Sequence, residues 1–185
     1  MIPSLLYDSD KWLQINKEAE TKLEKLQNRM FRYLFGVPDS TPKSILRFDL
    51  GNLSMREKIH VKRLNLLQHL KNLKPDSLGS EFYNLQVKYN FPGLVEECRA
   101  LIKMHCLPDI IDENLNFSKH SWNQKVKKAI RNKSEHDIKK EFCNFTKLKH
   151  LNMPPEELKV QDYVKSISLS KARTMIRIRS SILPI

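Results

Sequence analysis

The chain has 185 residues, a formal net charge of +12 and 40% hydrophobic residues, with only four glycines. This composition favours an ordered helical chain over a disordered one, and the length indicates one or two domains, enough to bury a hydrophobic core. The surplus of 33 Lys and Arg over 21 Asp and Glu attracts polyanions such as nucleic acid, although an acidic membrane surface would respond to the same field.

The cysteines and the apolar runs indicate an intracellular protein. Cys98, Cys106 and Cys143 have no CxxC spacing, so they are expected to be reduced thiols and not a disulfide framework or a zinc site. No apolar run approaches the roughly 18 residues that span a bilayer, and residues 1–7 lack the features of a signal peptide. We expect a protein of the nucleus or cytoplasm, without membrane contact, metal or cofactor.

Residues 22–63 predict three successive helices separated by turns. The apolar positions of the first helix recur at steps of three and four, namely Leu23, Leu26, Met30 and Leu34. Gly36 and Pro38 end this helix, because glycine adopts the left-handed conformation readily and proline cannot continue a helix.

The second and third helices have their own start and stop signals. Ser40 or Thr41 is expected to supply a hydroxyl N-cap before Pro42, and Gly51 ends the short second helix. Ser54 is expected to form a capping box with a glutamate three residues later, at the start of the third helix.

After residue 73 the sequence predicts a break and then two shorter helices. Residues 74–77 with Gly79 form the break, which is the clearest domain boundary in the sequence. One short helix is expected at about 81–89 and a second at about 94–106.

A long helix is expected from about 118 to 145, capped by Ser118 or Ser121. An interruption is expected near 132–134. Its inward side is expected to carry Trp122, Val126, Ala129 and Ile130.

The end of the chain predicts a linker and a last helical region. Residues 153–155 form the linker, and 156–182 predict one or two helices with a break near 168–170. The alternation at 176–179 leaves a strand open as an alternative there. The predicted fold class is therefore all-α, an irregular array of about seven to nine helices.

The breaks divide the predicted array into three segments. Residues 1–74 are expected to form a helical bundle, 75–155 a basic helical linker region, and 156–185 a C-terminal basic helix region. We find no internal repeat and no low-complexity tract.

Cations cluster on one side of the first predicted helix, at steps of three and four, namely Lys22, Lys25, Arg29 and Arg32. At about 100° per residue they fall within one sector of the helix, away from its leucines. One interpretation is a solvated surface that Glu18 and Glu24 partly neutralise. The other is contact with the phosphates of a nucleic acid.

Other cations are candidates for the same contact, namely Lys58 and Lys62 on the third helix, Lys125, Lys128 and Arg131 in the basic block 119–149, and Arg173 and Arg177 near the end. The last two lie four residues apart and would face the same phosphate track. Aromatic side chains at helical spacing, Tyr33 among them, are expected in the core and not stacked on bases.

Several of these motifs together resemble a known family. The basic helix ending in Gly36-Val37-Pro38, followed by Ser40-Thr41-Pro42, Leu50-Gly51, Leu53 and Arg56, resembles the region after the palm in non-LTR (LINE-type) retrotransposon reverse transcriptases. Upstream, Leu5-Leu6-Tyr7 and Trp12 look like the family's segment between palm and thumb, with Asp8 where the family has Gly. Lys171-Ala172-Arg173-Thr174 and Arg177-Ile178-Arg179 are similar to the helix before the family's zinc knuckle.

The resemblance implies a thumb-like bundle at 1–74 and a C-terminal linker, detached from the palm and the zinc knuckle. It also implies binding to the backbone of RNA or an RNA–DNA hybrid without sequence specificity, with the absent palm or another protein as a further partner. The sequence contains no Asp-Asp pair, so it lacks the carboxylates of a two-metal polymerase centre and is not expected to be an enzyme without that palm. The alternatives are a helical protein–protein interaction module and a decayed retroelement fragment with no selected function.

Overall fold

A computed structural model of the chain describes residues 6–9, 17–112, 115–144 and 158–179. Across these ranges the fold is all-α, as predicted, with eight helices and no strand. In chain order the helices are α1 (Lys17–Phe35), α2 (Lys43–Asp49), α3 (Met55–Lys71), α4 (Leu78–Tyr89), α5 (Leu94–Met104), α6 (Lys119–Asn144), α7 (Asp162–Ser166) and α8 (Leu169–Arg179).

Some sequence predictions concern positions outside the described residues. These are Leu5 and Trp12 of the segment that resembles the palm–thumb connection, the linker at 153–155, and the last two lysines of the basic block. No helix in the described ranges combines the length and the apolar character needed to cross a membrane.

The chain divides into two compact units, and each unit combines segments that are distant in sequence. Unit 1 consists of Met1–Asn16 and Arg56–Ile130. Unit 2 consists of Lys17–Met55 and Arg131–Ile185. The boundary predicted at 74/75 therefore lies inside unit 1, and the boundary predicted at 155/156 lies outside the described residues.

The inward side of α1 differs from the predicted one. Phe31 and Phe35 are buried, together with Gln27 and Asn28, whereas Leu26 is 40% exposed and Leu34 is 51% exposed. The phenylalanines offer more apolar area than the leucines, and the Gln27 amide donates a hydrogen bond to the Leu53 carbonyl oxygen at 3.2 Å. Compared with the prediction, α1 is rotated about its axis, so that the phenylalanines face the core and the leucines are only partly covered.

The turns of unit 2 lie where glycines were predicted to end helices. Gly36 and Gly51 both have φ of +56°, the left-handed region that favours glycine. The predicted hydroxyl cap of α2 is wrong, because Pro42 itself occupies the N-cap position and no side chain caps the helix. The Pro42 carbonyl oxygen instead accepts from the Leu46 N–H at 3.5 Å.

The described core of unit 2 joins α2 to sequence-distant segments. Ile45 and Phe48 of α2 pack with Ile138 of α6 and with Leu158, which precedes α7. An isolated antiparallel bridge pairs Leu50 with Val160 beside this cluster. The core thus holds the chain around α2 against the chain just before α7.

Trp122 is the largest fully buried side chain among the described residues of unit 1. Its indole N–H donates to the Leu64 carbonyl oxygen at 3.0 Å, and its ring stacks on Phe117 with centroids 5.8 Å apart. Val126 and Ile130 are also buried and Ala129 is half-buried, so the predicted inward side of the long helix is confirmed.

The remaining boundaries follow local capping. Ser118 accepts from the Ser121 N–H at 3.2 Å, so it is the cap of α6, and α6 continues without the expected interruption near 132–134. Ser77 caps α4, which begins at Leu78 and not at 81. Residues 176–179 belong to α8, so the alternative of a strand there is wrong. Ile176 is fully buried on the inward side of this helix.

Candidate nucleic-acid interface

Three of the four cations predicted to share one side of α1 are exposed. They are Lys22, Lys25 and Arg29. The Lys22 ammonium lies 2.8 Å from a carboxylate oxygen of Glu18, and both side chains are about 70% exposed or more, so this pair contributes little stability. Lys25 and Arg29 have no hydrogen bond or ion pair within the described residues. Their charges are available to a ligand.

Arg32, the fourth of these cations, is half-buried. It follows the buried Asn28 by one turn of helix, which places it at the edge of the basic side nearest the core. One of its terminal nitrogens, Nη2, donates to the Thr41 carbonyl oxygen at 2.9 Å, and its Nε is buried without a partner among the described residues. Arg32 therefore ties α1 to the loop before α2 as well as adding charge to this surface.

An open cleft lies at the C-terminal end of α1, within unit 2. Arg29, Arg32 and Arg173 contribute three guanidinium groups to it, and its volume is about 690 Å³. The remaining lining consists of Tyr33, Leu34 and the turn 36–39. Asp39 in that turn is the single carboxylate among the described residues of the lining, and these residues together carry a net positive charge. We call this the arginine cleft.

Helix α8 brings its arginines to the end of α1. Arg173 donates through Nε and Nη2 to the Leu34 carbonyl oxygen, at 3.2 and 2.9 Å. Arg177 donates through Nη2 to the Gly36 carbonyl oxygen. The last carbonyl groups of a helix have no partner within it and form the negative end of its dipole, so arginine is well suited to this position.

Arg173 and Arg177 thus use some of their N–H groups to hold α8 against the end of α1. The predicted contact of both residues with one phosphate track does not account for these hydrogen bonds. The Nη1 nitrogen of Arg173 still makes no hydrogen bond within the described part of the chain. It is the group of Arg173 that remains to contact a ligand in the arginine cleft.

Tyr33 was expected in the core and is instead 89% exposed. It directly follows Arg32 in sequence and lines the arginine cleft together with Arg29 and Arg32. An aromatic side chain beside cations on one side of a helix is typical of a nucleic-acid surface, and the neighbouring pair Arg32-Tyr33 is the signal of it in the sequence. The core prediction for Tyr33 is therefore wrong, and its ring is available for stacking.

The predicted cations of α3 are less accessible. Lys58 and Lys62 are both half-buried, and the Lys62 ammonium donates to the Leu6 carbonyl oxygen. Their neighbour Arg63 is buried and forms an ion pair with Glu97, with a nitrogen-to-oxygen distance of 2.7 Å. In α3, at least Lys62 and Arg63 hold unit 1 together.

The predicted cations of α6 are exposed, and they belong to different units. Lys125 and Lys128 are in unit 1, and Arg131 is in unit 2. The Lys125 ammonium lies over the ring of Phe117, 5.2 Å from its centroid, in a cation–π contact. None of the three lines the arginine cleft.

Groups that could perform catalysis or hold a metal are sparse in the described part of the chain. No cluster of three His, Cys, Asp or Glu side chains occurs there. His60 and His105 approach each other, with Nδ1 and Nε2 3.2 Å apart. Burial raises the pKa of the Cys98 thiol to about 12, because the nearby Arg63, which lowers the pKa, does not offset the loss of hydration. Cys98 is therefore a protonated thiol at neutral pH.

Comparisons of the chain with protein-family models, with curated proteins and with solved structures find no match. No residue role is therefore transferred from a relative. The side chains described above, and the sequence motifs that resemble a reverse transcriptase thumb, are the features that bear on function.

Proposed function

We propose that the chain binds the sugar–phosphate backbone of RNA or of an RNA–DNA hybrid without reading its sequence, as the non-catalytic thumb and linker part of a LINE-type reverse transcriptase. The observation that carries the proposal is the arginine cleft, which lies at the end of the same helix that exposes Lys22 and Lys25. Contact with the phosphates of a nucleic acid requires several cations aligned along the protein surface, and it requires no hydrogen bonds to the bases.

The chemistry of the arginine cleft suits phosphate. Guanidinium is planar, permanently charged and able to donate two parallel hydrogen bonds to one phosphate. Arg29 has no partner among the described residues, and Arg173 retains its Nη1 nitrogen. Two guanidinium groups can therefore meet a phosphate without breaking a hydrogen bond of the fold.

Tyr33 adds a contact that phosphate alone does not require. Its exposed ring lies in the lining of the same cleft. Stacking on an aromatic ring favours unpaired bases and tolerates every base identity. We therefore expect the arginine cleft to prefer a junction between duplex and single strand, or a strand end, over a blunt duplex.

The experiment is a salt titration of binding by the full chain. A fluorescein-labelled RNA–DNA hybrid with a short overhang is titrated by fluorescence anisotropy at several salt concentrations. The triple variant Lys22→Gln, Lys25→Gln and Arg29→Gln is compared with the wild-type chain. Arg32 is left intact, because its hydrogen bond to Thr41 belongs to the fold.

The matched control removes the same charge elsewhere. It carries Lys74→Gln, Lys103→Gln and Lys165→Gln, three exposed positions outside the arginine cleft. We expect the salt slope of the first variant to fall by about 0.7 to 0.9 per lost phosphate contact and that of the control to change little. Equal losses in both variants, or no binding of the wild-type chain at low salt, would contradict the proposal.

A further inference from the structure

Helix α4 exposes a continuous apolar stripe. Leu78 is 84% exposed, Phe82 51%, Leu85 50% and Tyr89 55%. Their spacing of four, three and four residues places all of them on one side of the helix. The opposite side packs normally, since Tyr83 is buried in unit 1. Single exposed apolar residues are common on proteins, but an aligned set of this kind marks a contact surface.

Two residues of opposite charge lie along one edge of this stripe and indicate which partner can bind it. Glu81 and Lys88 are both exposed and lie seven residues apart, so they flank the same edge of the stripe. An open groove of about 350 Å³ lies along that edge, lined by these two side chains with Asn84 and Leu85. The Lys88 ammonium lies over the Tyr89 ring, 5.1 Å from its centroid, which holds the charge beside the apolar surface.

We propose that α4 is a self-association surface, through which two copies of the chain pair with their α4 helices antiparallel. In heptad terms Phe82 and Tyr89 occupy a positions, and Leu78 and Leu85 occupy d positions. Antiparallel pairing about a two-fold axis sets Phe82 against Leu85 of the second copy. It also sets Leu78 against Tyr89 of the second copy, so the whole stripe is covered.

Charge selects the antiparallel arrangement. Glu81 and Lys88 are g positions, and antiparallel helices bring the g positions of the two copies together. Glu81 then meets Lys88 of the second copy, and symmetry repeats the pair. Parallel helices bring g opposite e, where this chain has Gly79 and the buried Gln86, so no ion pair would form.

The small area of the α4 stripe limits the affinity of the dimer. A helix of 12 residues is roughly 18 Å long, so the interface falls at or below the low end of specific interfaces. We expect a dimer that dissociates in the micromolar range. The proposal does not depend on nucleic-acid binding.

The test is the mass of the full chain as a function of concentration. Sedimentation equilibrium from low micromolar to several hundred micromolar concentrations should show a monomer that converts to a dimer. Phe82→Glu should weaken dimerisation by about 100-fold or more, because it places two charges at the centre of the stripe. Met104→Glu is the matched control, since Met104 is 48% exposed on a different helix, and it should leave the dimer unchanged.

Charge exchange tests the direction of pairing and leaves the stripe intact. Glu81→Lys alone and Lys88→Glu alone should each weaken the homodimer several-fold at low salt. A mixture of the two variants should form a heterodimer more tightly than either forms a homodimer, because both cross-pairs are then attractive. A wild-type chain that stays monomeric, a dimer that Phe82→Glu leaves intact, or a mixture with no preference for the heterodimer would each overturn the proposal.

Discussion

The backbone of Gly51 lies directly against the backbone of Val160, so that a β-carbon at Gly51 would lie 2.4 Å from the Val160 nitrogen. Neighbouring groups complete this contact. Leu50 forms the bridge with Val160, and the Gln161 N–H donates to the Asp49 carbonyl oxygen at 3.0 Å. The segment before α7 therefore rests on the end of α2 at a point where only glycine leaves room.

Gly51→Ala is expected to destabilise the chain strongly. The left-handed conformation costs an alanine roughly 1–2 kcal/mol, and displacement of the Val160 backbone adds about 1–3 kcal/mol. Gly36→Ala is the matched control, because Gly36 has the same φ of +56° but its nearest neighbouring atom would lie 3.6 Å from the new β-carbon. Urea unfolding followed by circular dichroism measures both, and equal losses would show that the close approach contributes nothing.

Substitutions of Arg29 and Arg32 are expected to differ in their effect on the stability of the fold. Arg32→Gln removes the hydrogen bond to the Thr41 carbonyl oxygen, so the free energy of unfolding should fall by about 1–2 kcal/mol. Arg29→Gln removes no hydrogen bond or ion pair within the described residues, so the free energy of unfolding should change by less than about 0.5 kcal/mol. Thermal and urea unfolding of both variants check this, and a larger effect at Arg29 would give it a structural role instead.

Cys98 is expected to make the fold less stable at high pH. An unfolded thiol loses its proton near its ordinary pKa of 9.0, whereas the buried Cys98 thiol keeps its proton until its pKa of about 12. Between these values the unfolded state binds fewer protons, so the free energy of unfolding falls by about 1.4 kcal/mol per pH unit from this group. Below pH 9 it contributes no pH dependence.

Cys98→Ala isolates that contribution. Burial also raises the pKa of Tyr83, and Asp109 and Asp112 nearby act in the same direction while Arg99 opposes them, so the wild-type chain has a second alkaline dependence of the same sign. The difference between wild type and variant, measured by urea unfolding from pH 8 to 11, should shrink as the pH rises. A constant difference would mean that Cys98 titrates normally in the folded chain.

The features that could be predicted from the sequence are those set by residues close together in the chain. Gly36 and Gly51 end helices because each position needs a positive φ, which is a property of a few consecutive residues. Trp122 and Ile130 were placed correctly because helical spacing alone identifies the buried side of α6. The N-cap of α2 was missed because Pro42 competes with two hydroxyl residues for the same position.

The arginine cleft is only partly predictable from the sequence. The basic side of α1 was visible as a spacing, and Arg29 is exposed there. The approach of Arg173 to Leu34 was not visible, because the two residues are 139 positions apart and no local pattern encodes their contact. Tyr33 has the helical spacing of a core residue but is exposed, because spacing does not tell which of two apolar sides of α1 packs.

Unit 2 is assembled from both ends of a long interval of chain, Lys17–Met55 and Arg131–Ile185. During synthesis the first of these segments leaves the ribosome well before the second exists. Ile45 and Phe48 then have neither Ile138 nor Leu158 to cover them, and the site that receives Val160 stays empty. Contacts of such long range form late, so the apolar side chains of this segment stay open to chaperones and to aggregation in the nascent chain until translation has passed α7.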